Sequence, residues 1–469
     1  MKDLTLRRMA DACGGILHIP EGWERLEAAE AGSIVTDSRK ASEGCVFAAI
    51  KGERVDGHSF IPQVLSQGAL CVLTEHDLEA DRCYIRVRST LQALGGIARE
   101  YLSILDIPVV GITGSVGKTS TKEMIASVLA QKFLVHKTKG NFNNELGLPL
   151  TVFDLREEHE IAVLEMGISD FGEMHRLSSI ACPDTCVITN IGQCHLENLG
   201  DRDGVLRAKT EIFDFIKKDG CIILNGDDDK LCQIRHVQGI SPVFYGIGNT
   251  AGENIYADQI RPLGLTGIAA VIHTQDSYFP VTIPLPGEHM VMNALAATAV
   301  GLHYGLTPEE IAAGIQQVQV PGGRFNIVRT DRFTVIDDCY NANPMSMRAS
   351  LTSLKGAEGG KAAILGDMLE LGPEEMDIHA ELGRFAASCG LDALIAVGDR
   401  CRRLIDAARE TDPSLRTAWY PETDGLLAAL SSQPPESILR DGDTVLVKAS
   451  HSMHFDQVVA QLTNMGKDT

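Results

Sequence analysis

Residues 108–124, PVVGITGSVGKTSTKEM, constrain the fold more than any other stretch of the chain. An apolar run, a glycine-rich turn and a lysine-led amphipathic segment follow one another without a break. That order marks a buried strand feeding a helix through a turn whose N–H groups and positive helix end face an anion. The usual phosphate-binding pattern, G-x-x-x-x-G-K-[ST], asks for a glycine at 112, where Ile112 stands. The glycines fall at 111, 114 and 117. The strand–turn–helix context nevertheless lets the backbone of Gly114, Ser115, Val116 and Gly117 approach phosphate oxygens. Lys118 then reaches the outer phosphates, Thr119 holds Mg²⁺, and Ser120 is counted with them among the nucleotide-binding residues.

The same alternation of strand, turn and helix governs most of the chain. Buried-type runs at 161–166 (IAVLEM), 185–191 (TCVITNI) and 221–225 (CIILN) predict a mainly parallel sheet covered on both faces. Residues 250–286 carry a period of two, as in YFPVTIPLP, and predict a small antiparallel addition. After a helix over 289–306 and a turn at 320–325, a further series starts, with strands at 333–338, 362–367, 393–399 and 443–450. Each ends in a polar residue, where open α/β sheets bind ligands. The N-terminal hundred residues read as shorter strands and helices, among them CVFAAI and a helix over 90–105 that stops ahead of Pro108. The expected architecture is α/β with three domains: a small N-terminal α/β domain (1–106), a central phosphate-binding parallel sheet (107–318) and a C-terminal Rossmann-like domain (319–469).

Bulk properties narrow the function. A chain of 469 residues with a formal charge of −21 excludes a general nucleic-acid coat or a binder of anionic membranes. No apolar run reaches the ~18–20 residues of a membrane span, and charges interrupt any secretory h-region in MKDLTLRRMADACGGIL. The 12 cysteines sit in apolar contexts and suit reduced thiols in a cytoplasmic protein. Cys182, Cys186, Cys194 and His195 offer the residue types of a zinc set, but Cys186 opens a strand and no second C-x₂-C pair exists, so packing is the expectation.

Three residues complete the chemistry. Glu165 ends a buried strand, as a carboxylate that complements Mg²⁺ does. His195 follows another strand end, and Lys209 lies on a helix; each alone reads as an ordinary structural or solvated side chain. No N-K-x-D tetrapeptide is present to read guanine, so ATP used in catalysis fits better than a GTP switch.

Taken together these segments resemble the Mur ligases, the ATP-dependent amide ligases of bacterial cell-wall synthesis. GSVGKT (114–119) satisfies that family's compact G-x-x-G-K-[ST] turn, which accounts for Ile112. VTDSRKASEGCVFAAIKGERVDGHSFI (35–61), KGNFNNELGLPLT (139–151), LEMGISDFGEM (164–174), GQCHLENLG (192–200), AKTEIF (208–213) and DDCYNANPMSM (337–347) match its D-alanyl-D-alanine-adding branch in order and spacing. The resemblance implies ligation of D-Ala-D-Ala to UDP-N-acetylmuramoyl-tripeptide through an acyl phosphate, for peptidoglycan synthesis, by a cytoplasmic monomer. It implies ATP on Lys118 and Thr119, Mg²⁺ on Thr119, Glu165 and His195, and a carbamate formed from CO₂ on Lys209 as a further metal ligand. His289 and Asn293 are implied on the adenine side, Arg324 at the nucleotide phosphates and Asp338 at the ribose. Asp37, Ser38 and Arg39 are implied for the uridine-nucleotide substrate, Asn141, Asn143 and Asn144 for substrate binding, and Asn341 and Asn343 for the dipeptide. Two departures stand out: Val116 replaces a common asparagine, and His451 replaces a common arginine after Lys448-Ala449-Ser450. Another Mur-type ligase or a folylpolyglutamate synthetase is the alternative of like chemistry. A P-loop regulatory ATPase is the alternative of another class.

Overall fold

The computed structural model describes residues 1–52, 54–248, 254–319, 321–432 and 438–465. Glu53 of the 35–61 segment, residues 250–253 of the expected antiparallel addition, Val320 of the turn, and 433–437 and 466–469 of the last domain lie outside the described residues.

Three sheets form in chain order. The first holds β1 (Ile16–His18), β2 (Ser33–Val35), β3 (Cys45–Ala48), β4 (Cys71–Thr74) and β5 (Tyr84–Arg86), in the order β1-β5-β4-β3-β2. Only β1 runs antiparallel to its neighbour. The second comprises β6 (Val109–Thr113), β7 (Val135–Lys137), β8 (Ile161–Glu165), β9 (Thr185–Ile188), β10 (Cys221–Asn225), β11 (Val243–Ile247), β12 (Ile255–Pro262), β13 (Ile268–His273) and β14 (Tyr278–Ile283). Its order is β14-β13-β12-β11-β10-β9-β6-β8-β7. The third contains β15 (Asn326–Arg329), β16 (Thr334–Asp337), β17 (Lys361–Gly366), β18 (Ala393–Val397), β19 (Arg416–Tyr420) and β20 (Thr444–Lys448), ordered β15-β16-β20-β17-β18-β19.

The central sheet is parallel from β7 to β12, and its strands are apolar on both faces because helices cover both. Val110 and Ile112 of β6 pack with the helices Lys118–Leu129 and His289–His303, while Val109 joins the opposite layer with Ala162 and Leu164. This alternation is the period of a pleated strand. Ile112 is fully buried in that core. It is a strand residue, so the phosphate loop begins two residues later, at Gly114. The antiparallel strands β12–β14 do not form a separate unit; β12 pairs with β11 and extends the central sheet.

One hydrophobic cluster runs from Leu4 and Met9 through Leu94, Tyr101 and Val109 to Leu148 and Leu224. It joins the N-terminal sheet and one face of the central sheet, with the helix Thr90–Leu105 packed between them. The third sheet has its own two layers of core. Among the described residues no helix is long and apolar enough to cross a membrane.

Candidate active site

The loop after β6 is tightly built. Gly114 adopts φ +152°, and a Cβ there would meet Thr189 Oγ1 at 1.9 Å, so only glycine lets the chain pass. Gly117, at φ +81°, starts the helix Lys118–Leu129, whose first-turn N–H groups point back into the loop. Ser115 is fixed by Gly192, whose N–H donates to its Oγ at 2.8 Å, and Lys118 Nζ donates to the Gly114 carbonyl at 2.8 Å. Val116 departs from the sequence expectation. Its N–H donates to Asn190 Oδ1 at 2.9 Å and its carbonyl accepts from Asn190 Nδ2 and Thr189 Oγ1. The Asn190 amide thus occupies the N–H that was expected to face phosphate.

Glu165, at the end of β8 and 1% exposed, accepts from Thr119 Oγ1 and Asn143 Nδ2, both at 2.8 Å. Asn143 therefore braces this carboxylate, a contact that the substrate-side expectation for it did not include. Asn144 accepts from Gly147 N–H, and Asn141 lines the same cleft. The buried Lys209 has no hydrogen bond or ion pair from its ammonium among the described residues. Burial pushes its pKa down to about 8; Lys118 adds to the shift and Cys194 opposes it. Burial also lowers His195, with Glu370 opposing and Lys209 and Lys118 adding.

The third domain supplies the facing wall. Asp338, just past β16, accepts from Lys448 Nζ at 2.7 Å, from Ser350 Oγ at 2.5 Å and from Phe325 N–H at 3.1 Å. Its carboxylate is committed to this network, so ribose would have to compete for it. The Arg324 guanidinium lies 4.1 Å from the Tyr340 ring centroid, and His451 rests on that ring at 5.3 Å. His289 faces this wall: burial carries its pKa down to about 4, Lys448 adding to the shift and Asp338 opposing it. Asn293, expected beside it on the adenine side, is buried and accepts from Thr121 Oγ1 at 3.0 Å, close behind the loop. Between the walls lies a cleft of about 770 Å³, lined by Lys118, Thr119, Glu165, His195, His289 and Arg324 among others.

Comparison with known proteins agrees with this geometry. Family models described as the Mur ligase middle domain, the Mur ligase glutamate ligase domain and the Mur ligase family catalytic domain match residues 112–301, 323–451 and 31–102. A Bacillus subtilis UDP-N-acetylmuramoyl-tripeptide–D-alanyl-D-alanine ligase is 38% identical, covering 98% of each chain. The chain belongs to the Mur ligase family. Among solved structures, MurF from Acinetobacter baumannii superposes with a TM-score of 0.89 at 33% identity, covering 98% of each chain. MurF ligase from Thermotoga maritima, in complex with ADP, gives 0.80 at 29% identity, covering 93% of this chain and 98% of that one. The three-domain α/β architecture is that of these Mur ligases.

Not every residue read from the Mur ligase pattern meets in the cleft. Asp37 pairs with Arg39 at 2.7 Å and caps the turn Ser38–Lys40; the Arg39 contact takes its carboxyl down to about 2. This trio lies on the N-terminal domain, away from the cleft lining. Asn341 and Asn343 do line the cleft; Asn343 also caps the helix Pro344–Leu354, and Asn341 Oδ1 accepts from Ala342 N–H while its carbonyl accepts from Lys448. Cys194 bonds to Ser115 and Cys186 is buried in β9, so both are packing residues. Among the described residues a set with metal-binding spacing occurs elsewhere, at Asp367, His379 and Cys401. There His379 Nε2 accepts from Met368 N–H and Nδ1 meets the Glu375 carbonyl, leaving no ring lone pair for an ion. Asn190 and Asp228 were missed from sequence, although both follow apolar runs, the same signal that exposed Glu165. Asp228 accepts from Ile191 N–H at 2.8 Å and ties the β9 and β10 ends together.

Proposed function

We propose that the protein joins D-alanyl-D-alanine to UDP-N-acetylmuramoyl-tripeptide, with ATP as the activating substrate, in the cytoplasm during peptidoglycan synthesis. The observation that carries this reading is that Lys118, the Thr119–Glu165 pair and His195 line one cleft, with the buried Lys209 ammonium behind that lining and close enough to feel Lys118 and Cys194. Residues 1–106 take the UDP-muramoyl portion, 107–318 take ATP and 319–469 present the dipeptide side.

A carboxylate and an amine do not condense in water, so the tripeptide carboxylate first attacks the γ-phosphorus of ATP. ADP leaves and an acyl phosphate forms. The dipeptide amine then attacks the acyl carbon, loses a proton, and inorganic phosphate departs. Lys118 swings from its own loop carbonyl to the transferring phosphate, since such transfers depend on positioning and charge. Arg324 and His289 border the nucleotide from opposite walls. Closure of the C-terminal domain over the central one keeps water from the acyl phosphate.

The donor set fits a hard divalent cation: a hydroxyl, a buried carboxylate and an imidazole converge, with room in the charge balance for one more anion. Thr119, Glu165, His195 and a carbamate on Lys209 would hold Mg²⁺, which when bound neutralises phosphate charge. Lys209 suits carbamate formation because burial favours its neutral amine, whose nitrogen can bond the carbon of CO₂ and release a proton. A carbamate also supplies the anion that this buried position lacks.

The test is phosphate release from ATP with UDP-N-acetylmuramoyl-tripeptide, with and without D-Ala-D-Ala. Release is expected only with the dipeptide; release independent of it, or only with another amino acid or a folate, would replace this reading.

A further inference from the structure

Glu370 belongs to the C-terminal domain and has no role in the chemistry above. Its carboxylate lies 2.7 Å from Nδ1 of His195, across the boundary with the central domain. Nδ1 is buried and, Glu370 apart, has no polar partner among the described residues. The two residues share an uncommon backbone: His195 has φ +51° and Glu370 φ +62°, both left-handed without being glycine. Such geometry persists where surrounding structure holds it, and at sites of function it repays inspection. The surroundings do hold it. The turn Gly372–Glu374 packs on the helix Leu196–Leu199, and a Cβ added to Gly192 would come 3.0 Å from Met345 Cε of the C-terminal domain. Glu370 is otherwise free: its side chain is 61% exposed and has no other partner among the described residues.

A metal-ligating histidine commonly gives its second ring N–H to a carboxylate, which fixes the tautomer and aims the remaining lone pair. We propose that Glu370 is the positioning residue for His195, delivered by the C-terminal domain, so that His195 becomes a competent ligand only when that domain is docked. The proposal rests on the reading of His195 as a ligand on the phosphate side. It makes domain docking and metal affinity one linked event, with neither a new catalytic group nor a second site required.

The experiment measures Mn²⁺ binding to the full chain with a non-hydrolysable ATP analogue, following free Mn²⁺ by electron paramagnetic resonance. Glu370→Gln keeps the side chain's size and removes its charge; it should weaken Mn²⁺ binding roughly tenfold. The same substitution should have no further effect in a His195→Ala background. Small-angle scattering should show a larger radius of gyration for Glu370→Gln than for the parent under the same conditions. If His195→Ala weakens Mn²⁺ binding and Glu370→Gln does not, this inference falls while the assignment of His195 stands. If His195→Ala leaves binding unchanged, both fall. An equal loss from Glu370→Gln with and without His195 also overturns the proposal, because it would act through another group. Thermal unfolding of each variant, with Glu370→Ala as a second substitution, separates these outcomes from misfolding.

Discussion

His289 and Lys209 are titratable groups whose pKa values burial moves in ways that can be measured. The folded pKa of His289, about 4, lies below its ordinary value of 6.5. Between those values the unfolded chain binds the proton that the folded chain refuses. Stability is therefore lost as pH falls from 6.5 to 4, by up to about 3 kcal/mol. His289→Gln should flatten that part of the pH profile of the thermal midpoint; an unchanged difference between pH 6.5 and 4 would contradict the assignment. Asp338 and Lys448, which face His289, remain in the variant, so the comparison isolates the imidazole. Lys209→Ala makes a different prediction. Dipeptide-dependent phosphate release should drop by roughly 100-fold, and added bicarbonate should not restore it. Lys209 is also one of the larger fully buried side chains, so its truncation should lower the thermal midpoint through the cavity left behind. Full activity in that variant would end the role given to Lys209.

Elements differ in how plainly the sequence announces them. The inner strands β6, β8, β9 and β10 were legible as continuous apolar runs because they are covered on both faces. β7 has only three residues, and β19 is half-buried along its whole length at a sheet edge, so neither leaves a run or a clean alternation. The site divides in the same way. Lys118 and Glu165 were readable as cleft residues because each lies at or after a strand end that is itself readable, whereas His195 reads as an ordinary loop side chain without the family resemblance. The trapped Val116 N–H, the Asp338–Lys448 pair and Glu370 were not, since each depends on which loop of another strand or domain arrives opposite. Helix contacts hold the same kind of hidden information. The helices Glu375–Ala387 and Cys401–Thr411 touch at Gly383, where a Cβ would lie 2.1 Å from the Leu404 carbonyl oxygen. The clash is with backbone, so the helices must part. Gly383→Ala should cost the C-terminal domain about 1–3 kcal/mol, read as a lower denaturation midpoint in urea. An unchanged midpoint would show that the pair can slide.

At the scale of the molecule, sheets and cores do not divide the chain in the same places. Three sheets suggest three independent domains, yet a single hydrophobic cluster unites the first sheet with one face of the second. The third sheet keeps nearly all of its own core, with Leu265 from the central domain packed against it. Cooperative units follow buried contacts more closely than sheet membership. Two calorimetric transitions are therefore expected: one for the N-terminal and central domains together, one for the C-terminal domain. Tyr101 tests the coupling. It is 1% exposed, lies on the helix between the first two sheets, and its hydroxyl donates to the Leu155 carbonyl at 3.0 Å. Tyr101→Ala leaves a cavity, at a cost of about 3–5 kcal/mol, while the Leu155 carbonyl keeps its hydrogen bond from Arg156 Nη1. The joint transition should move down as one while the C-terminal transition stays in place. Three resolved transitions in the parent, or a shift confined to the N-terminal residues in hydrogen exchange, would mean that the shared core does not make one unit. If the joint transition holds, the mobile part of this ligase is its C-terminal domain. Closure then amounts to docking that domain onto a two-sheet platform that already carries the phosphate loop.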